Sequence, residues 1–272
     1  MGIRENRISR IFNAKTGKAV VIPVDHGIMM GAIDGLKDPV KILIRLIQAE
    51  IDATLMSFGL AKHTKDLFDK KGAPSRILTS DFILSSNIPG NFGGVLGYSL
   101  ISTVEQAVKL GFDAVKVLLM WGIDEKILMD NIRSIGELVR ECDKWEMPIM
   151  IEPLLMGKNV PRNAEVIEHA CRIAVELGAD ILKVPYTGDK ESFARIVSNS
   201  HVPVVILGGP KMDSVRDVLQ TAKDSIDTGG KGIVFGRNVW QYPDMDKLLM
   251  ALKDIVHGGE DVNTVIGRYD LK

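Results

Sequence analysis

Short runs of apolar, mostly β-branched residues alternate with longer amphipathic stretches along the whole chain. Eight such runs, edged by Gly, Pro or Asp, predict strands: AVVIPVDHG (19–27), ATLMSFG (53–59), RILTSDF (76–82), AVKVLLMWG (114–122), PIMIEPL (148–154), ADILKVPY (179–186), PVVILGG (203–209) and GIVFGRN (232–238). Between them, apolar residues recur at three- and four-residue spacing in DPVKILIRLIQAE (38–50), DEKILMDNIRSIGELVRECDKWE (124–146), NAEVIEHACRIAVELG (163–178) and DSVRDVLQTAKDSIDTGG (213–230), which predicts helices with one apolar face. Strands this apolar are buried on both faces, so they call for parallel pairing with crossover helices outside. Eight such units predict an α/β fold of the (β/α)8 TIM-barrel type, a single domain over residues 1–272. An open doubly wound sheet fits less well, because no G-x-G-x-x-G follows the first run. The glycine-rich IPGNFGGVLGYS (88–99) reads as a mobile loop or as a cover over a ligand.

Composition narrows the partners. The 272 residues are 46% hydrophobic and 25% charged, with a formal net charge of −1 and no long basic run. That balance argues against nucleic acid and against a membrane surface, and leaves a small molecule as the expected partner. The two cysteines, Cys142 and Cys171, fall in helical stretches and read as apolar fillers in a reducing compartment. The N-terminal segment is polar, and no apolar stretch reaches the roughly 18 residues of a membrane span, so the expected location is the cytoplasm. Histidines at 26, 63, 169, 201 and 257 show no paired ligand spacing; no metal and no cofactor is expected, and a chelator should leave activity intact.

Among the ionisable residues within the strands or at their carboxyl ends, four are the candidates: Asp25, Lys116, Glu152 and Lys183. A barrel strand meets helices on one face and other inward side chains on the other, so a charge there needs partners or a task. A structural ion-pair network is one reading, although apolar layers fill such interiors with no desolvation cost. The other is chemical. At roughly 6 Å and an effective dielectric of about 20, Lys116 and a charged Lys183 repel by about 3 kcal/mol, or about two pKa units, which frees an amine near neutrality. A neutral amine adds to a ketone to form a Schiff base, whose electron demand lets a neighbouring carbon–carbon bond break. Glu152, inward if Lys183 is inward and the strands start level, is the candidate proton-transfer group. Asp25 either orients Lys183 or shares that work, and His26 is a turn histidine or a substrate contact.

The last two strands end in GGPK (208–211) and GRN (236–238). Glycines in the loops after strands 7 and 8 let backbone N–H groups approach a phosphate, so Gly208, Gly209, Gly236 and Arg237 form a candidate phosphate site. Lys211 adds a point charge or is a solvated loop residue.

These residues also resemble a family. RISRIFNAKTGKAVVIPVDHG (7–27), LKVPYTGDKESF (182–193), GGPK and GRNVWQ (236–241) are similar to the archaeal-type class I fructose-bisphosphate aldolases and their relatives, the aminodideoxyheptulosonate synthases and autoinducer-2 thiolases. DAVKVLLMW (113–121), PIMIEPL and DILKV (180–184) resemble the tagatose-bisphosphate aldolases, which share the barrel and the Schiff-base chemistry. The resemblance implies that Lys183 is the Schiff-base lysine, with Asp25 in the active site, Glu152 moving protons and Lys116 contacting substrate or activating the amine. It implies a phosphorylated sugar as substrate and a homo-oligomer. One departure stands out: where the archaeal-type aldolases carry Tyr-Pro-Arg-Gly, this chain reads EPLLMGK (152–158), with leucine in place of tyrosine. Three functions follow from the residues and the resemblance together. They are an aldolase acting on a ketose phosphate, an aldol or acyl transferase like the thiolases or a transaldolase, and a non-catalytic sugar-phosphate regulator. The intact set of Lys183, Glu152, Asp25 and Lys116 argues against the last.

Overall fold

The computed structural model describes residues 2–85, 94–157 and 160–272. Among the described residues there are ten strands: β1 (Ala19–Val21), β2 (Ala53–Met56), β3 (Ser75–Thr79), β4 (Asp81–Ser85), β5 (Val95–Leu100), β6 (Ala114–Trp121), β7 (Ile149–Leu155), β8 (Ile181–Pro185), β9 (Val204–Leu207) and β10 (Gly232–Val234). Eight of them close into a parallel barrel in the order β1-β10-β9-β8-β7-β6-β3-β2, while β4 and β5 form a separate antiparallel hairpin. The barrel is the predicted (β/α)8 fold, and all eight predicted strands are in it.

The four predicted helices span Pro39–Gln48, Glu125–Trp145, Ala164–Glu176 and Val215–Asp227. Each starts at a side-chain cap: Asp38, Asp124, Asn163 and Ser214 accept hydrogen bonds from the first backbone N–H groups, which otherwise lack partners. No helix among the described residues is long and apolar enough to cross a membrane.

Period-two alternation divides every barrel strand between two cores. Val20, Leu78, Val115, Val117, Ile149, Ile151, Leu182, Val184, Val204, Ile206 and Ile233 join the large cluster under the helices. Ala19, Val21, Ala53, Leu55, Ile77, Ala114, Met150, Ile181, Val205 and Val234, drawn from all eight strands, fill the barrel itself. The helix Ile3–Ile11 closes that inner cluster with Ile11, and Phe12 packs beside it. Arg7 donates to the Phe112 carbonyl, and the Ser75 hydroxyl donates to the Arg10 carbonyl, which fastens this helix across the amino ends of the strands. A cavity can therefore open only at the opposite end.

The hairpin departs from the predicted pattern. RILTSDF was read as one strand, but β3 ends at Thr79 and Asp81 begins β4. Of the predicted glycine-rich loop, residues 95–99 belong to β5, whereas 88–93 lie outside the described residues. Ile83 packs with Leu118 and Met120, with Val95 and Tyr98 alongside, so the hairpin lies against the upper part of β6.

Candidate active site

Two residues beyond the inner apolar layer, the same parity carries polar side chains. Ile77 leads to Thr79, Ala114 to Lys116, Met150 to Glu152 and Ile181 to Lys183. The ladder pairs Met150 with Ile181, so Glu152 and Lys183 stand level on adjacent strands, as parity predicted. Asp25 lies four residues past the end of β1, on an extended segment whose Ile22 and Val24 N–H groups still bond to β2.

The charges meet at one atom. Glu152 Oε2 accepts a hydrogen bond from Lys183 Nζ at 2.9 Å and pairs with Lys116 Nζ at 3.1 Å. The expectation that repulsion between the two lysines frees an amine is thereby corrected: a carboxylate sits between them and offsets the repulsion. Burial opposes ionisation of Glu152, but Lys116 and Lys183 outweigh it and hold the carboxyl below the usual carboxylate range. Burial also works against the Lys116 ammonium, yet Asp81, Glu152 and Asp25 push its pKa above the ordinary value.

Asp25 accepts a hydrogen bond from the Thr79 hydroxyl at 2.5 Å, and its other oxygen is 3.4 Å from His26 Nδ1. Its burial too opposes charge, but His26, Lys183 and Lys116 hold it well below the usual range. The His26 ring packs edge-on to Trp240 with centroids 5.2 Å apart, and Trp240 Nε1 donates to the Pro23 carbonyl at 3.1 Å.

These groups border a cavity of about 730 Å³ lined by Asp25, His26, Lys116, Glu152 and Lys183 on one side and by Gly208, Gly209, Gly236 and Arg237 on another. Gly209 has φ +63°, a left-handed conformation that favours glycine. At Gly236 a Cβ would stand 2.7 Å from the His26 ring, so only glycine fits there. The half-buried Arg237 has an Nε with no hydrogen-bond partner, and burial without a counter-charge lowers its pKa. An anion is the natural complement to such a guanidinium. Lys211 is exposed and does not line this cavity.

Several lining or supporting residues escaped the sequence reading. Asn238 fastens the two glycine turns together: its Nδ2 donates to the Gly208 and Pro210 carbonyls at 2.8 and 3.2 Å, and its Oδ1 accepts from Met212 N at 2.7 Å. Arg162 and Tyr186 line the cavity from loops after β7 and β8; no motif marked Arg162, and Tyr186 lay in the quoted LKVPYTGDKESF without being given a role. Asp81 is fully buried beside Lys116, hidden in the sequence because it falls where a strand was expected to end. Leu154, at the position where the archaeal-type aldolases carry tyrosine, faces the cavity as an apolar residue. Among the described residues no group of three or more His, Cys, Asp or Glu is arranged to hold a metal. Cys142 and Cys171 are buried free thiols whose pKa values burial raises, that of Cys171 to about 12.

A parallel eight-stranded barrel with a lysine, carboxylates and an unpaired arginine around one cavity at its open end defines a class of enzyme, the aldolases. The chain belongs to the DeoC/LacD family of aldolases, whose profile matches residues 19–242. It is similar to an uncharacterized aldolase of Saccharolobus solfataricus, 32% identical over 96% of this chain and 97% of that one. It is equally similar to the 2-amino-3,7-dideoxy-D-threo-hept-6-ulosonate synthase of Halobacterium salinarum, 32% identical over 98% and 96% of the two chains. Among solved structures, an archaeal fructose 1,6-bisphosphate aldolase superimposes with TM-score 0.82 at 31% identity, covering 95% of this chain and all of that one. Another, with its catalytic lysine covalently bound to the carbinolamine intermediate of the substrate, superimposes with TM-score 0.80 at 29% identity over 94% and 100%.

Proposed function

We propose that the chain is a Schiff-base aldolase that cleaves or forms a phosphorylated ketose, with Lys183 as the nucleophile. The observation that carries this reading is the contact of Lys183 Nζ with Glu152 at 2.9 Å inside a cavity that also holds an unpaired arginine. Passing its proton to a carboxylate of the network leaves the amine free to attack the ketone carbon. The resulting carbinolamine takes a proton on its hydroxyl, loses water and becomes an iminium. Glu152, within reach of the same nitrogen, supplies that proton and then accepts one from the hydroxyl of the alcohol carbon. The adjacent carbon–carbon bond breaks, its electron pair neutralising the iminium as an enamine, and the aldehyde fragment departs. Protonation of the enamine and addition of water release the ketone and restore the amine. Condensation is the same path reversed.

The phosphate rests against Gly208, Gly209, Gly236 and Arg237, with His26 beside Gly236 as a further contact. Leucine at 154 leaves proton transfer to Glu152 and Asp25. Similar proteins include fructose 1,6-bisphosphate aldolases and heptulosonate synthases, which supports a ketose that serves either cleavage or condensation. A homo-oligomer belongs to the same reading, supported by Leu84 and Leu96, which leave 49% and 59% of their surface exposed on the hairpin.

The test is borohydride reduction in the presence of a panel of ketose phosphates, followed by peptide mass analysis. A stable adduct on Lys183 is expected. Labelling confined to Lys116 reassigns the nucleophile, and no labelling with any ketose overturns the reading. Product that forms only when coenzyme A is supplied would establish acyl transfer instead.

A further inference from the structure

We infer that Asp81 is a positioning residue that holds Lys116 from behind and thereby keeps Glu152 basic enough to take up a proton in each turnover. The inference rests on the proposed role of Glu152. Asp81 continues the inward parity of Ile77 and Thr79, but it belongs to the hairpin and does not line the cavity. Its side chain has no exposure. One oxygen, Oδ2, accepts a hydrogen bond from Leu118 N at 2.6 Å; the other, Oδ1, stands 3.7 Å from Lys116 Nζ and has no hydrogen-bond partner. Lys116 is thus shared, with Glu152 at 3.1 Å on its cavity side and Asp81 on its far side.

A purely structural role leaves the charge unexplained. The Leu118 N–H needs only an acceptor, which a neutral amide supplies, and a buried anion without full pairing is unfavourable. Burial raises the Asp81 pKa, and Lys116 and the Leu118 N–H do not fully counter it. With Asp81 included, the cluster holds three carboxyl groups against two amines, so one carboxyl group is in excess. The charged and titratable groups facing Asp81 are Lys116 on β6, Glu152 on β7, Asp25 beyond β1 and the Tyr98 phenol on β5. Burial and the Asp81 charge both keep that phenol protonated. Only Lys116 is an attractive charge, and it is the group that Glu152 also uses. The more strongly Asp81 holds Lys116, the less Lys116 favours the Glu152 anion, and direct repulsion between the two carboxylates acts in the same direction.

Asp81→Asn keeps an acceptor for Leu118 N and removes the charge. Lys116 then turns wholly to Glu152, whose proton affinity falls. The expected result is a kcat about 10-fold or more below wild type with KM within about 2-fold, and an acidic limb of the kcat/KM profile displaced about one pH unit downward. In a Lys116→Met background the same substitution should displace the acidic limb by clearly less, because only the direct repulsion between the two carboxylates then remains. Asp81→Ser, which also keeps an acceptor, is read in the same way should the amide pack poorly. An unmoved acidic limb in both single variants, or an equal displacement in the Lys116→Met background, overturns the inference. Borohydride trapping on Lys183 is followed in every variant: it should persist, and its absence in wild type would defeat the Schiff-base reading itself rather than the role of Asp81.

Discussion

Replacing Glu152 by Gln tests the electrostatic core of the site directly, because the substitution removes one charge and almost no volume. In the native cluster Lys116 and Lys183 both touch Glu152 Oε2, at 3.1 and 2.9 Å. Their nitrogens therefore lie within about 6 Å of each other, and at an effective dielectric of about 20 two bare ammonium groups at that distance repel by about 3 kcal/mol. In the variant this repulsion is no longer offset at that atom. Loss of the Glu152 charge therefore lowers the proton affinity of the pair, against the remaining pull of Asp81 and Asp25 on Lys116. Where an amine of the variant titrates below the ordinary lysine value, the unfolded chain binds more protons than the folded one and stability rises with pH, by at most about 1.4 kcal/mol per pH unit for one proton. Wild type differs in sign. Its Lys116 is held above the ordinary lysine value, so the contribution of that group is full below about pH 10.4 and is lost only as pH rises through the higher folded value.

Urea unfolding at pH 7.0 and 9.5 reads this as a change in midpoint. The Glu152→Gln midpoint should rise relative to wild type between the two pH values, and the rise should vanish in the Lys116→Met/Glu152→Gln double variant, which has no second ammonium. A Glu152→Gln midpoint that runs parallel to wild type, or a rise that survives in the double variant, refutes the reasoning. Turnover of Glu152→Gln should fall by about 10²- to 10⁴-fold through loss of proton transfer.

Lys183→Ala should abolish both turnover and borohydride labelling yet keep a urea midpoint close to wild type, because Glu152 retains Lys116 at 3.1 Å; severe unfolding would instead favour a structural ion-pair network. Arg237→Gln should raise KM for a phosphorylated ketose by about 10- to 100-fold with kcat little changed, the range expected for one charge-assisted hydrogen bond, and should leave KM for the unphosphorylated ketose unaltered. At the closed end of the barrel, Asp52 Oδ2 accepts from Val20 N at 2.7 Å and from the His257 ring at 3.0 Å, while the same ring meets the Thr16 hydroxyl at 2.9 Å. Asp52→Ala orphans these groups and should lower stability by about 2 to 3 kcal/mol in urea unfolding, with KM unaffected because the site lies at the other end.

The barrel was legible because its signal is repetitive and local. Eight β-branched runs with amphipathic stretches between them leave one economical arrangement, and a buried charge within a run, such as Lys183 in DILKV, stands out against its neighbours. Parity then turns Glu152 to the same face as Lys183, provided that the two strands start level, as they do. The hairpin was not legible for the opposite reason. Its strands bury one side only partly, with Leu84 and Leu96 left exposed, and Gly97 within β5 belongs to a glycine-rich stretch that reads as a loop. Losing the hairpin meant losing Asp81, whose importance depends on a neighbour 35 residues away in sequence. The position of Glu152 between the lysines was equally out of reach: parity assigns a face, not the rotamer that brings one oxygen to two nitrogens. Asn238 sits in a recognised motif, yet its bonds run to the other glycine turn, a contact that no short-range pattern encodes.

The placement of the charges follows from how the cylinder is closed. With Ile11 and Phe12 against the inner apolar layer, water reaches the interior only from the carboxyl ends of the strands. One layer lower, Ile181 packs with Met150 and Val205 in the inner apolar cluster, where a charge would have to be desolvated. At 183 the same strand reaches Glu152 on the neighbouring strand while keeping 8% exposure toward the cavity, against 2% for Lys116. On the proposed Schiff-base reading that difference gives the two amines different work: the more open one meets a carbonyl carbon, and the enclosed one, held between Glu152 and Asp81, tunes the Glu152 carboxylate. No borohydride adduct on Lys116 is therefore expected in a Lys183→Ala background, and an adduct found there would refute this division of work between the more open amine and the enclosed one.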